Sequence, residues 1–511
     1  MSDELTLRES RLKKLGQMRE LGFDPFKVES FPTPLSVHKL LEDFEEGSDV
    51  SLAGRVVSYR LMGKAAFAHL SDGDDKIQGY FRKEELGEAL WEIFLLLDIG
   101  DHLGVTGKLF TTKTGEKSIH VATVLPLSKA LQQIPLGKEK DGQIFSGLSD
   151  IEQRYRHRHL DLLTNRQARQ DLIARSKIVA AVRHYFESLG YLEVETPMLQ
   201  VVAGGAAARP FLTHYNAYET DVKMRISLEL YLKRLICGDL PRVFEIGRVF
   251  RNEGVSNRHS PEFTMLEFYE AYADLEVMME RVEGCFAHVA KEVFEGGAVK
   301  FADGFELDFS KPWARVDLLT EIEKLTGLSR NDLSSLEHSR AALGSREVVN
   351  PVNGKRIVAD EESNLGGLIE KLLEVFVEPT LQAPTFVIGY PVETSPLAKR
   401  DPHNPRFTRR FEGYIRGKEI CNAFGELNDP IDQRGRFEEQ TIEREKGDDE
   451  AHPMDEEFLY AVECGMPPTG GCGIGIDRLA MMLTGVEHIR EIILFPFMKP
   501  APESTDEGRE P

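Results

Sequence analysis

Four stretches of this sequence concentrate side chains that could bind a charged substrate and act on it. RVFEIGRVFRNEG, residues 242–254, alternates so that Phe244, Ile246 and Phe250 fall on one strand face and Val249, Arg251 and Glu253 on the other. EFTMLEFYEAY, 262–272, puts Phe263, Met265, Glu267 and Tyr269 on a shared face, and the VSNRHS loop joins the two as an antiparallel hairpin. FEGYIRGKEICNAFGEL, 411–427, reads as a second strand pair, turning near Arg416 and Gly417 and carrying Glu412, Glu419 and Glu426. Asn422, Phe424 and Glu426 share parity. Glu419 has the opposite parity, so it reaches their face only if the strand is bulged between 419 and 422. GGCGIGIDRL, 470–479, brings backbone close to a ligand through its glycines and enters a helix with Arg478 in the first turn. The first hairpin's face collects an arginine, several carboxylates and two aromatics. Taken singly, each stretch reads equally well as a solvated sheet face or a glycine-rich turn.

These segments need a scaffold, and the chain supplies one in blocks. Residues 1–48 begin with a charged, helix-forming run closed by Gly22, an N-terminal helical arm. Residues 49–132 hold several short strands, glycine-containing turns and one helical stretch near EELGEALWEIFLLL, the pattern of a small β-barrel such as an OB-fold. Residues 133–150 carry Pro, Gly and mixed charge without periodicity and read as a linker. From 151 to 500 strands alternate with helices in one large unit. A helix at about 166–189 shows Ile178, Val182, Phe186 and Leu189 on one face, and Tyr191 to Glu195 form a strand stopped by Pro197. The tail, 501–511, reads as disordered.

Composition narrows the class. At 511 residues, 41% hydrophobic and 29% charged, the chain suits two or three globular domains. No run of about 18 apolar residues exists to span a bilayer, and the acidic start resembles no signal peptide. The five cysteines are scattered with no C-x-x-C pair, which argues against structural zinc or a disulfide framework and for a reducing cytoplasm. A net charge of −22 does not exclude a nucleic-acid partner, because phosphate affinity depends on local patches. Two basic runs are candidates: Arg154, Arg156 and Arg158, and Lys399, Arg400, Arg406, Arg409 and Arg410. The plain reading of each is a solvated surface.

E-V-E-T-P-M at 193–198, F-R-N-E-G at 250–254 with R-H at 258–259, and G-I-G-I-D-R at 473–478 resemble, in order, the three signature motifs of class II aminoacyl-tRNA synthetases. GGAAARPF (204–211), LELYLKRL (228–235), PEFTMLEFYEAYAD (261–274), SPLAKRDP (395–402) and ELNDP (426–430) resemble the lysyl branch of that family, and the likeness runs over roughly 1–500. The resemblance implies an α+β fold: an antiparallel-sheet catalytic domain preceded by an OB-fold barrel, assembled as a homodimer through the first motif. Gly473-Ile474-Gly475 is then no dinucleotide fingerprint.

The same resemblance implies residue roles. Arg251 would hold the ATP α-phosphate and the lysine carboxylate, and Arg478 the γ-phosphate. Glu253 and His259 would meet adenine or phosphates, and Phe263 would stack on adenine. Glu412 and Glu419 would be Mg²⁺ ligands, Glu412 also counting toward the ATP site. Gly205, Glu229, Glu267, Tyr269, Asn422 and Glu426 would bind L-lysine, whose ammonium suits surplus carboxylates. Arg60, Phe67, Gln78 and Glu116 would contact the tRNA anticodon, although Phe67 by itself also reads as barrel core. Lys418 stands where arginine is common in relatives.

Three rivals remain open at this stage. A ligase that lysylates a protein lacks the N-terminal barrel. An aspartate or asparagine synthetase would not carry Glu229, Glu267 and Glu426 around the substrate side chain. A catalytically dead RNA-binding relative would not keep Arg251, Glu412, Glu419 and Arg478.

Overall fold

The computed structural model describes residues 2–500 apart from 34, 137, 141, 142, 146, 147, 295, 296, 302, 363, 448 and 449. The tail at 501–511 and part of the 133–150 linker thus lie outside the described residues. The chain divides into two compact units, Met1–Arg169 and Gln170–Pro511.

The first unit is built on a closed five-stranded barrel of Asp49–Met62, Ala65–Ser71, Lys76–Arg82, His102–Thr111 and Lys117–Ser128, the helix Lys83–Leu95 intervening after the third strand. Strand alternation fills the interior: Leu52 and Val56, Ala66, Ala68 and Leu70, Ile77 and Phe81 all point inward. Trp91 and Phe94 of the helix pack on that core. Ahead of the barrel lies the helix Ser2–Glu20, whose Arg11 donates to the carbonyls of Ala130 and Gln132 at 2.8 and 2.7 Å. Inside the linker Lys138–Lys140 pairs antiparallel with Gln143–Phe145, an element that the mixed composition there did not announce.

The second unit centres on an 8-stranded sheet. Its order is Ala314–Asp317, Thr385–Ile388, Arg410–Ile415, Lys418–Gly425, Thr469–Gly475, Glu262–Ala271, Arg242–Phe250, Leu192–Glu193. All neighbours are antiparallel except the outermost pair at each edge. Both hairpins expected from the sequence are present, Arg242–Phe250 with Glu262–Ala271 and Arg410–Ile415 with Lys418–Gly425, so the centre of the unit is antiparallel and strand–helix alternation holds only around it. The Arg410–Ile415 and Lys418–Gly425 hairpin turns through Arg416 and Gly417, both with positive φ, as a two-residue turn of matching twist requires.

One sheet face is the core. Phe244, Leu266, Phe268, Phe411 and Ile474 are buried against Ile178, Val182 and Phe186, and against the helix Leu275–Val293. That helix is capped by Asp274, whose carboxylate accepts from the Val277 amide at 3.1 Å, and its Met278, Met279, Val282, Phe286 and Val289 fall inward at helical spacing. The strand expected at 191–195 is shorter. Leu192–Glu193 pair in register, Val194 adds one backbone bond to Phe244, and by Thr196 the chain has left the ladder, its amide and hydroxyl donating to Glu245 instead. The hairpin strand likewise stops at Phe250, ahead of Arg251.

Candidate active site

The other sheet face holds a cavity of about 580 Å³. Gly205, Glu229, Arg251, Glu253, His259 and Phe263 line it, together with Glu267, Tyr269, Glu419, Asn422, Glu426 and Arg478. Of the catalytic-unit residues singled out from sequence, Glu412 alone does not.

One end is a carboxylate chamber. Glu267, Tyr269 and Glu426 are buried, and so is Glu229 at the start of the helix Glu229–Cys237. Glu267 accepts from the Ser227 hydroxyl and the Leu228 amide, both at 3.0 Å, and from the Tyr269 hydroxyl at 3.1 Å. Burial and the charge of Glu229 still push its carboxyl up to about 7. Burial raises Glu426 to about 8 despite the pull of Lys233, and both its oxygens are sealed from solvent with no hydrogen-bond donor among the described residues. Gly205, at φ +87°, lies so close that a Cβ would come within 2.8 Å of the Ser227 hydroxyl. Only glycine combines that conformation with that approach.

Lys233 was missed in the sequence. It is fully buried one turn beyond Glu229, whose Oε1 accepts from its Nζ at 2.5 Å, and it also pairs with Glu426 Oε2. Burial opposes its charge, yet the two carboxylates hold its pKa above the usual lysine value. The i, i+4 spacing of Glu229 and Lys233 was a legible signal. The partner Glu426, 193 positions further on, was not. His452 also lines the cavity and is kept neutral, its pKa pulled down to about 4 by burial and by Lys233.

The other end is cationic. The Arg251 guanidinium sits 5.1 Å from the Phe263 ring centroid, and burial lowers its pKa. Arg478 projects from the first turn of the helix Ile476–Thr484, and its Nη1 donates to Glu419 Oε2 at 2.8 Å. Its Nη2 lies 3.3 Å from His259 Nε2, and burial and Arg478 together lower the His259 pKa. The helix is pinned by Asp477, which accepts from the Thr264 amide at 2.7 Å and from Arg175 at 2.6 Å. Glu253 and His259 are exposed on the loop after Phe250.

Glu419 reaches this cavity through the bulge that its parity required. Gly413 pairs with Cys421 and Tyr414 with Glu419, so Ile420 is the extra residue. Glu412 faces the same region from the neighbouring strand, where Oε1 accepts from Arg410 at 2.5 Å and Oε2 from Tyr390 and Tyr414. Burial, and after it the charges of Glu412 and Glu419, push nearby Glu378 up to about 7. Among the described residues no three His, Cys, Asp or Glu side chains could hold a metal ion by themselves. A two-carboxylate site completed by phosphates and water is what Mg²⁺ ordinarily uses, and these glutamates supply that donor type, Glu419 from the cavity lining and Glu412 through oxygens that Arg410, Tyr390 and Tyr414 already engage.

The basic runs are largely neutralised within the chain. Arg154 and Arg158 both pair with Asp161 at 2.7 Å, with Arg158 fully buried, and Arg156 pairs with Glu152 at 2.6 Å. Arg410 belongs to no surface patch at all. It is buried in the cavity wall, where it also donates to Asn422 Oδ1 at 3.2 Å. Arg400 and Arg409 pair with Asp432 and Asp401.

On the barrel, Arg60 lies opposite Phe67 across two strands. Phe67 is half-buried on the outer face between the inward Ala66 and Ala68, and stacks on Tyr80 at 4.9 Å. Tyr80 continues toward Phe110 and His120, aromatic neighbours that sequence reading had not singled out. Gln78 donates to Glu116 at 2.7 Å, and His69 reaches the other Glu116 oxygen at 2.9 Å.

Comparison with known proteins agrees with both units. Residues 150–499 match the family model of class II tRNA synthetases (D, K and N), and residues 50–127 match an OB-fold nucleic acid binding domain. The chain is 48% identical over 495 residues to a lysine–tRNA ligase of Moorella thermoacetica, covering 96% of this chain and 98% of the relative. It is 46% identical over 507 residues to the lysine–tRNA ligase of Bacillus subtilis, covering 98% of each. This chain belongs to the class II tRNA synthetases, in their lysine–tRNA ligase branch.

Proposed function

We propose that the protein activates L-lysine with ATP to lysyl-adenylate and pyrophosphate, then transfers the lysyl group to the 3′ end of a lysine-accepting tRNA. The observation that carries this reading is the chamber of Glu229, Glu267 and Glu426, three buried carboxylates of which two share an ion pair with Lys233. Such a chamber is short of positive charge, and an entering ammonium supplies it with three donors. Tyr269 and Asn422 shape the walls, and Gly205 supplies backbone.

In the first step an oxygen of the lysine carboxylate attacks the ATP α-phosphorus, and the bond to the β-phosphate oxygen breaks. Arg251 neutralises the charge that gathers between carboxylate and α-phosphate, a task suited to a forked donor already desolvated. Phe263, beneath that guanidinium, offers a face for adenine, and Glu253 and His259 flank the nucleotide. Arg478 receives the γ-phosphate. Glu412 and Glu419 would hold Mg²⁺, which screens the pyrophosphate leaving group when bound. In the second step the terminal tRNA hydroxyl attacks the carbonyl carbon and AMP departs. Arg60, Phe67, Gln78 and Glu116 read the anticodon from the barrel by stacking and edge contacts. The working form is a homodimer through the first-motif region, resident in the cytoplasm. Among the described residues no helix is long and apolar enough to cross a membrane.

Calorimetric titration with lysine tests the chamber. Saturable binding that is lost in Glu426→Gln supports the reading, and equal binding of lysine and norleucine contradicts it.

A further inference from the structure

We infer that Lys233 is a specificity-determining positioning residue that shuts arginine out of the lysine chamber, an inference resting on the function proposed above. Glu229 and Glu426 line the cavity, while Lys233 does not and is fully buried. The internal ammonium therefore stands behind the two carboxylates, on the side away from the ligand. It takes Glu229 Oε1 at 2.5 Å and Glu426 Oε2, one oxygen from each. What remains for a ligand is the second oxygen of each, Glu229 Oε2 and Glu426 Oε1; both Glu426 oxygens are buried without a hydrogen bond among the described residues, so the contact of Oε2 with Lys233 is an ion pair alone.

Two single oxygens on two different carboxylates suit a compact ammonium, whose donors radiate from one atom. They suit a guanidinium poorly. Its strength lies in two parallel N–H bonds to both oxygens of one carboxylate, and Lys233 has turned one oxygen of each carboxylate away from the cavity. Lys233 acts entirely through these two glutamates. The third carboxylate, Glu267, is already occupied by Ser227 and Leu228 on Oε1 and by Tyr269 on Oε2.

The test is amino-acid-dependent ATP–pyrophosphate exchange with lysine, arginine and homoarginine as substrates, in wild type and Lys233→Met. In the variant each carboxylate is released to present both oxygens. The expected result is a lysine-over-arginine ratio of kcat/KM reduced by about tenfold or more, the weight of one charge-assisted hydrogen bond. The lysine loss should fall mainly on KM, with the KM for ATP unchanged. Because Lys233→Met leaves buried carboxylates without a counter-ion, Lys233→Gln, whose amide can still donate to one of the two, serves if the first variant does not fold. It leaves the other carboxylate free to present both oxygens, so the ratio should fall there too. A folded variant that keeps the wild-type ratio overturns the inference, even if its lysine KM and melting temperature change. A wild type that ignores lysine would instead overturn the proposed function.

Discussion

Arg478 Nη1 donates to Glu419 Oε2 at 2.8 Å, a bond that joins two strand-end motifs 59 residues apart and exists because Ile420 is bulged out of its strand. Without the bulge Glu419 would alternate to the face opposite Asn422. The pair forms one lip of the cavity, with carboxylate and guanidinium poised for a metal-bound phosphate.

Glu419→Ala should therefore abolish most adenylate formation while sparing the fold, since nothing buried depends on this half-exposed pair. A loss in kcat/KM on the order of 10²-fold is expected, the scale of removing one electrostatic stabiliser of a transition state. Pyrophosphate exchange alongside circular dichroism checks this. Near-normal exchange would mean that Glu419 has no part in the chemistry.

Glu229→Gln should raise the lysine KM and also lower the melting temperature. The substitution weakens a ligand contact and strips Lys233 of one of its two counter-ions, and breaking a buried pair costs about 3–5 kcal/mol. Steady-state kinetics and thermal unfolding of the same preparation separate the two effects. A variant with unchanged lysine KM would place the ammonium elsewhere.

Lysine affinity should rise with pH. Glu267 and Glu426 are pushed to about 7 and about 8 in the empty chamber, so near pH 6 they hold protons that the entering ammonium must displace. As pH climbs through that window the carboxylates ionise unaided and this cost disappears. Calorimetry in two buffers of different ionisation enthalpy should report proton release on lysine binding at pH 6 to 7 that fades by pH 9. Proton uptake would reverse the sign and refute the assignment.

Phe67→Ala should separate the two reactions. Its ring stacks on Tyr80 on the outer barrel face, where removal exposes little core. Losing a stacking platform worth about 1–3 kcal/mol per base should weaken tRNA charging and leave lysine-dependent exchange nearly unchanged. Equal damage to both reactions would make Phe67 structural.

Much of this site is legible in the amino-acid sequence. Strand parity put Phe263, Met265, Glu267 and Tyr269 on one face, and the cavity lies on that face. The parity of Glu419 leaves open whether it reaches that face and names 419–422 as the stretch a bulge would have to occupy, which is where Ile420 is the extra residue. What stayed hidden are groups that act through partners remote in sequence. Lys233 looked like one more helix lysine, because Glu426 arrives from a distant strand. Arg410 looked like part of a basic run, although its strand carries it inward to Glu412 and Asn422. The run at 154–158 misled for the same reason: local composition shows the cations, and the fold brings Asp161 to two of them. The two hairpins were legible, but the insertion of Thr469–Gly475 between them was not, since periodicity identifies strands without their distant neighbours.

The central claim is that the carboxylate chamber selects lysine for activation by ATP. ATP–pyrophosphate exchange measured with each of the twenty amino acids tests it most directly. Lysine should stimulate exchange far above every other amino acid, and discrimination on the order of 10⁴ is within reach of a site whose buried polar groups would otherwise go unpaired. Exchange driven best by aspartate or asparagine, or by no amino acid at all, would contradict the account.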